Sequence, residues 1–268
     1  MADHDHSYKL LFAHPQLVRD LLEGFVGGDW LADVDFGTLE RVSDSYITDD
    51  LRGRADDIVW RARCGEHYVY LLIEFQSSAD PFMAVRVLTY VGLLYQDLIR
   101  AKMISIDAGL PPILPIVLHN GSSRWRAAED LASLLVHMPD ALEKHCVRLR
   151  FLLIDEGGFD DVELACQPNL VALLFRLENC RQRDRIEELV STLVSRLRGS
   201  EHDSLRRAFA VWLERVILAR LSTGYVSKAN ELWERQAMLS DWFDEREKEL
   251  RQEGEVKLLL QPASEAFW

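Results

Sequence analysis

The stretch from residue 54 to 76, RADDIVWRARCGEHYVYLLIEFQ, constrains the fold more than any other. Two runs rich in β-branched and aromatic residues, Asp-Ile-Val-Trp-Arg-Ala-Arg and Tyr-Val-Tyr-Leu-Leu-Ile-Glu-Phe, flank a glycine-containing turn, which is the pattern of a β-hairpin. With Gly65-Glu66 as a two-residue, glycine-first loop, Cys64 faces His67. Counting outward in antiparallel register sets Asp57 opposite Glu74, and alternation puts Gln76 on the face of Glu74. Carboxylates placed opposite each other destabilise a sheet by about 0.2–1 kcal/mol or more unless a cation lies between them. Two readings stay open at this level. Either the pair holds a cation, or Asp57 starts one strand and Glu74 ends the other, both solvated. A one-residue slip of the pairing would separate them.

A chain of 268 residues suits one large domain or a core with a helical appendage. Hydrophobic residues at 48% and charged residues at 28% fit a soluble globular protein. No apolar run reaches the roughly 18 residues that a bilayer demands, and MADHDHSYK lacks the apolar core of a signal peptide. The four cysteines, Cys64, Cys146, Cys166 and Cys180, show neither CxxC nor zinc-ligand spacing. A cytoplasmic, reduced setting with no membrane segment is expected. The net charge of −13 argues against tight non-specific DNA binding, so any phosphate-binding face must be a local patch. It does not argue against a metal-dependent active site.

Elsewhere the punctuation is clear in places. Pro15 opens a helix carrying Leu17, Val18, Leu21, Leu22 and Phe25, with Gly27-Gly28 at its end and a shorter helical turn from Tyr8 to Phe12 before it. Residues 30–39 read as irregular, and 45–48 as a short strand. Val69 to Ile73 is continuously apolar, which predicts a strand covered on both faces. Asp80-Pro81 reads as the cap and first position of a helix reaching about Arg100, with Val87, Leu88, Val91, Leu94, Tyr95 and Leu98 as its buried stripe. Arg86 and Tyr90 lie one turn apart on another face. Ile113 to Leu118 is a strand ending at His119-Asn120-Gly121, and its Pro115 points to an edge position unless the missing N–H faces away from the ladder. A helical piece is expected over 128–136 and a strand over 150–155. Residues 169–198, 204–222 and 229–258 read as helices, with Phe175, Trp212 and Trp233 as core contacts. The expected division is a core of residues 1–160 and a helical region of 161–268, packed on the core or used for self-association.

The order helix, strand, hairpin with Asp then Glu-x-Gln, helix, strand resembles the α-β-β-β-α-β core of the PD-(D/E)xK nucleases. That is an α/β fold, a mixed sheet flanked by helices, here with a helical C-terminal region. Carboxylates and water are hard oxygen ligands suited to Mg²⁺ or Mn²⁺. The phrases HDHSYKLLFAHPQLVRDLLEGF, RADDIVW, YLLIEFQS, FMAVRVLTY and LPPILPIVLHNGSSRW together resemble the Rpn family of recombination-promoting nucleases, also labelled YhgA-like and transposase-like. The likeness runs from about His4 to Asp155 and continues weakly into Asn169 to Phe175. It implies a Mg²⁺- or Mn²⁺-dependent DNA endonuclease with Asp57, Glu74 and Gln76 as catalytic residues and Asp57 and Glu74 as metal ligands.

In that family glutamine commonly stands where other PD-(D/E)xK nucleases carry lysine, so Gln76 orients water without contributing charge. Asp5, from the family's N-terminal phrase His4-Asp5, Lys9 shortly after it, and Arg86 and Tyr90, from the helix, are candidates for contacting phosphate or supporting Glu74 and Gln76. The tail QPASEAFW departs from the Gln/Gly-rich ending common in relatives. A catalytically weak nuclease-fold protein acting through protein contacts, and cleavage of RNA rather than DNA, are the rival expectations. A homodimer is expected for duplex cleavage, since one site attacks one strand.

Overall fold

A computed structural model of the chain describes residues 2–42, 57–104, 106–107 and 109–218. By internal contacts the chain divides into two units, Met1–Phe175 and Arg176–Trp268. The first is built on a five-stranded mixed sheet in sequential order, β1 (Val34–Arg41), β2 (Asp57–Cys64), β3 (His67–Gln76), β4 (Ile113–His119) and β5 (Leu152–Asp155). Two N-terminal helices, α1 (Ala2–Leu11) and α2 (Pro15–Leu21), precede it, and α3 (Met83–Arg100) connects β3 to β4. β1, β2 and β3 pair antiparallel, whereas β3, β4 and β5 pair parallel. Parallel neighbours need a crossover, and α3 supplies the one between β3 and β4. This α/β arrangement is the expected PD-(D/E)xK-like core.

The hairpin stands in the expected register. Gly65 takes φ +58°, a left-handed value that glycine adopts without a Cβ clash, and Cys64 pairs with His67. The ladder then runs without a slip to Asp57 opposite Glu74. From Val69 to Gln76 every residue of β3 is buried, as its apolar run predicts for a strand covered on both faces.

Each face has its own cover. Tyr8 of α1 and Phe12 just after it pack their rings on Phe75, and the Trp60 indole donates to the Phe12 carbonyl at 3.1 Å. On the opposite face Tyr70 and Leu72 join Val59 and the α3 residues Tyr90, Leu94 and Leu98 in one cluster. α3 also reaches β4, where Met83, Ala84 and Val87 pack with Val117, Trp125 and Phe151.

Pro115 lies in an inner strand rather than at an edge, and the backbone explains how. Pro112 O accepts from Tyr70 N, and Asn120 N donates to Gln76 O, so even-numbered residues of β4 bond toward β3. Odd-numbered Pro115 therefore faces the other way, where β5 pairing begins only at Ile116.

Several expectations are corrected. Residues 30–39 are ordered as a 3-10 turn, Asp29–Asp33, followed by β1. The register of β1 jumps between Asp35, opposite Arg63, and Glu40, opposite Arg61. Five steps on one strand against two on the other make a bulge, which erases the period-two pattern. Asp35 Oδ1 accepts from Gly37 N and Thr38 Oγ1 accepts from Arg63 N, so local side chains replace the missing ladder bonds.

The N-terminal helical turn expected from Tyr8 extends from Ala2 to Leu11. α3 begins at Met83, because Asp80 closes a turn onto Phe82 N at 2.8 Å before the helix starts. Residues 128–136 hold a 3-10 turn, Ala132–Leu134, and a bridge from Asp130 to Arg150 instead of an α-helix. The helix expected over 169–198 is two helices, Leu170–Asn179 and Arg183–Arg196. Arg181 Nη1 bonds the Glu178 and Cys180 carbonyls at the break, occupying acceptors at the helix end. A further helix, Asp203–Trp212, continues as a π-turn to Leu218. Phe175 and Trp212 are fully buried, each as a core residue. The strand over 45–48, the helix over 229–258 and Trp233 lie outside the described residues. Among the described residues no helix is long and apolar enough to cross a membrane.

Candidate active site

Glu74 sits near the C-terminal end of β3 with only 1% of its side chain exposed. A carboxylate buried this far is costly unless partners hold its charge. One oxygen has them: Oε1 accepts from Gln76 Nε2 at 2.6 Å and from Arg86 Nη2 at 2.6 Å. Gln76 reaches it because residues two apart on a strand share a face. Arg86 reaches it from the first turn of α3, which lies over that face. The other oxygen, Oε2, is buried with no hydrogen-bond partner. Across the ladder from it stands Asp57.

The guanidinium of Arg86 is clamped from three sides. Nε and Nη2 donate to the Tyr90 hydroxyl at 3.2 and 3.1 Å, Nη1 donates to Asp80 Oδ2 at 3.2 Å, and Nη2 donates to Glu74. Partial burial opposes the arginine's charge, but the bonds to Tyr90 and Asp80 outweigh it and hold Arg86 above the ordinary guanidinium value. Asp80 is the member of this group that sequence reasoning placed only as a helix cap. Its spacing of six residues before Arg86 becomes meaningful once the turn at Pro81-Phe82 brings the two together.

The strand ends beside Glu74 are fixed as well. His119, fully buried at the end of β4 and opposite Gln76 in the ladder, has Nδ1 2.9 Å from Gln76 O and Nε2 2.7 Å from Ser123 O. A Cβ on Gly121 would lie 2.4 Å from Ser77 O and 2.5 Å from the His119 ring, so the close approach here requires glycine. The segment His119-Asn120-Gly121, readable as a plain turn, therefore braces the backbone of Gln76. Asp155 at the end of β5 accepts from Arg124 Nε and Trp125 N, a cap on the strand end.

Of the seven site residues read from the sequence, Glu74, Gln76, Arg86 and Tyr90 form one hydrogen-bonded group, and Asp57 pairs with Glu74 through the ladder. Asp5 and Lys9 belong to α1. Tyr8 of that helix, with Phe12 just beyond it, packs on Phe75, across the sheet from the face of Glu74. Tyr8 also donates to the buried Glu156 at 2.6 Å, tying α1 to the end of β5.

The chemistry of the donors suits a hard divalent cation. The free oxygen of Glu74, on a residue paired in the ladder with the acidic Asp57, is a hard acceptor of the kind a divalent cation takes. Among the described residues no group of three or more His, Cys, Asp or Glu gathers as a metal site. All four cysteines are free.

Over residues 2–206 the chain matches the family model described as "Putative transposase, YhgA-like". It is 30% identical to the recombination-promoting nuclease RpnA of Escherichia coli strain K12 over 186 residues, which are 68% of this chain and 61% of that protein. The recombination-promoting nuclease RpnD of Escherichia coli O157:H7 is 30% identical over 198 residues, covering 72% and 74% of the two chains. A protein named as an inactive recombination-promoting nuclease-like protein, RpnE of strain K12, is 26% identical over 212 residues, covering 75% and 66%. The chain thus spans less than two thirds of RpnA's length. No solved structure matches.

Proposed function

Because the chain belongs to the family described as "Putative transposase, YhgA-like", we propose that it is a divalent-metal-dependent endonuclease that hydrolyses DNA phosphodiester bonds in recombination or mobile-element biology. The observation that carries this reading is Glu74 Oε2, a buried carboxylate oxygen without a partner, on the residue paired with Asp57. Asp57 and Glu74 would hold Mg²⁺ or Mn²⁺. The chemistry such an ion supplies when bound is charge neutralisation at the phosphate, a lowered pKa for the attacking water and stabilisation of the leaving oxygen.

The chain's own groups do the rest. Gln76 orients the Glu74 carboxylate through Oε1. Tyr90 and Asp80 fix the guanidinium that bonds the same oxygen, so the carboxylate keeps one rotamer. Packing of α3 on the sheet keeps water from the rear of the site. In the overall step water oxygen bonds to phosphorus, the ester P–O bond breaks, and the proton lost by water is balanced by one taken from solvent by the leaving alkoxide.

Plasmid nicking with Mg²⁺ tests the proposal, comparing wild type with Asp57→Ala and Glu74→Ala. Loss of nicking in both variants supports it, and unchanged nicking in both removes the site assignment. Parallel RNA substrates separate the RNA-cleaving alternative. A second reading, a nuclease fold kept for protein contacts, is favoured by the uncharged Gln76 and by the ion pair that already occupies Glu74 Oε1. We further propose that the protein acts in the cytoplasm and as a homodimer, whose test is sedimentation at micromolar concentration.

A further inference from the structure

Gln76 leaves the site without the positive charge that in-line attack on a phosphodiester calls for, since charge builds on the phosphoryl oxygens in the transition state. A cation stands beside it all the same. Arg86 has five N–H groups. Nε–H and one Nη2–H go to Tyr90, the second Nη2–H to Glu74 and one Nη1–H to Asp80, which leaves a single Nη1–H. The Arg86 side chain is 32% exposed while Glu74 beneath it is 1% exposed, so the guanidinium lies between the buried carboxylate and solvent. Its position is set by groups other than Glu74, because Tyr90 and Asp80 hold it independently. A fixed guanidinium edge with a spare donor matches phosphate geometry better than a flexible ammonium does.

We propose that Arg86 is the cation of the reaction, taking a non-bridging oxygen of the scissile phosphate on its remaining Nη1–H while Nη2 holds the Glu74 carboxylate. It supplies from α3 the charge that Gln76 lacks on β3. The inference rests on the nuclease reading above and assigns the role of one more side chain within it. Arg86 neither gains nor loses a proton in the step. Asp80 and Tyr90 are positioning residues, acting on phosphate only through Arg86.

The test uses the full chain in four forms: wild type, Arg86→Gln, Gln76→Lys, and Gln76→Lys combined with Arg86→Gln. Nicking of supercoiled plasmid with Mg²⁺ gives kcat. Anisotropy of a short fluorescein-labelled duplex, with Ca²⁺ in place of Mg²⁺, gives the dependence of Kd on salt. Arg86→Gln is expected to lower kcat by about 100-fold, and to reduce the slope of log Kd against log salt by about one. Lysine at position 76 in that background is expected to recover about tenfold, which a purely structural role for Arg86 would not allow.

Wild-type kcat and an unchanged salt slope in Arg86→Gln would overturn the inference. Should that variant melt early, Arg86→Lys carries the test, with the salt slope kept and kcat within about tenfold of wild type. A folded Arg86→Lys as inactive as Glu74→Ala would also overturn it. Wild type that cuts no nucleic acid, or cutting that survives Glu74→Ala, defeats the nuclease reading and this inference with it. Wild type that cuts, Glu74→Ala that does not, and Arg86→Gln at full rate defeat this inference alone.

Discussion

The two faces of β3 differ more than any two neighbouring regions of the first unit. Phe75 points into rings from the N-terminal segment, with centroids at 6.0 Å to Tyr8 of α1 and 5.3 Å to Phe12 just beyond it, and the Trp60 indole donates to the Phe12 carbonyl. One residue to either side, Glu74 and Gln76 point into a polar group with Arg86, Tyr90 and Asp80. Glu74 and Phe75 are equally buried, at 1% and 0% exposed. Burial therefore does not separate them; what separates them is whether the buried atoms are satisfied. The aromatic face is complete as it stands. The acidic face keeps one oxygen, Glu74 Oε2, without a partner, which is a stability cost that a fold retains where something else is to bind.

That contrast predicts opposite phenotypes for neighbouring substitutions. Glu74→Ala should lower nicking by about a thousand-fold, the equivalent of about 4 kcal/mol of transition-state stabilisation, while the protein still melts cooperatively. A nicking assay beside a thermal melt reads both. Phe75→Ala should do the reverse, costing about 3–5 kcal/mol of stability through lost contacts and a cavity, with Mn²⁺ binding preserved in the cold. Denaturant titration measures the loss, and a Phe75→Ala protein as stable as wild type would erase the distinction between the faces.

Tyr90→Phe sits between these extremes. It removes the acceptor for two Arg86 N–H groups, and should cost about 1 kcal/mol of stability with a partial loss of kcat. The pair of a melt and a rate measurement checks it.

The smallest effect lies away from the sheet. Partial burial lowers the His14 pKa from its ordinary value of 6.5, so the unfolded chain binds the proton more readily. Stability from this group is full above that range and falls as pH drops through it toward the folded-state value. His14→Gln should flatten that fall. Denaturant midpoints across that pH range would show it, and a steeper fall in the variant would contradict the sign.

The sequence was legible where local chemistry and tertiary packing agree. Gly65 sets the hairpin turn, the β-branched runs set the strands, and period-two counting carries the register eight residues along to Asp57 and Glu74 without a slip. The Arg86–Tyr90 pair was visible as helical spacing, although its contact with Glu74 came only with the packing of α3. β1 was not legible, because its bulge between Asp35 and Glu40 replaces alternation with side-chain bonds that no periodicity reports. Asp80 reads as a cap, and it does bond a backbone amide, Phe82 N; its second oxygen, on Arg86, depends on the turn before α3, whose start the Asp-Pro signal sets two residues early. Pro115 looked like an edge marker, and only the direction of its neighbours' bonds shows why an inner strand accepts it.

The account stands on Asp57 and Glu74 sharing one divalent ion, and calorimetric titration of the full chain with Mn²⁺ tests that most directly. Wild type should bind Mn²⁺, and Asp57→Asn and Glu74→Gln, which keep side-chain shape but remove charge, should each abolish that binding. Wild-type affinity in both variants would contradict it.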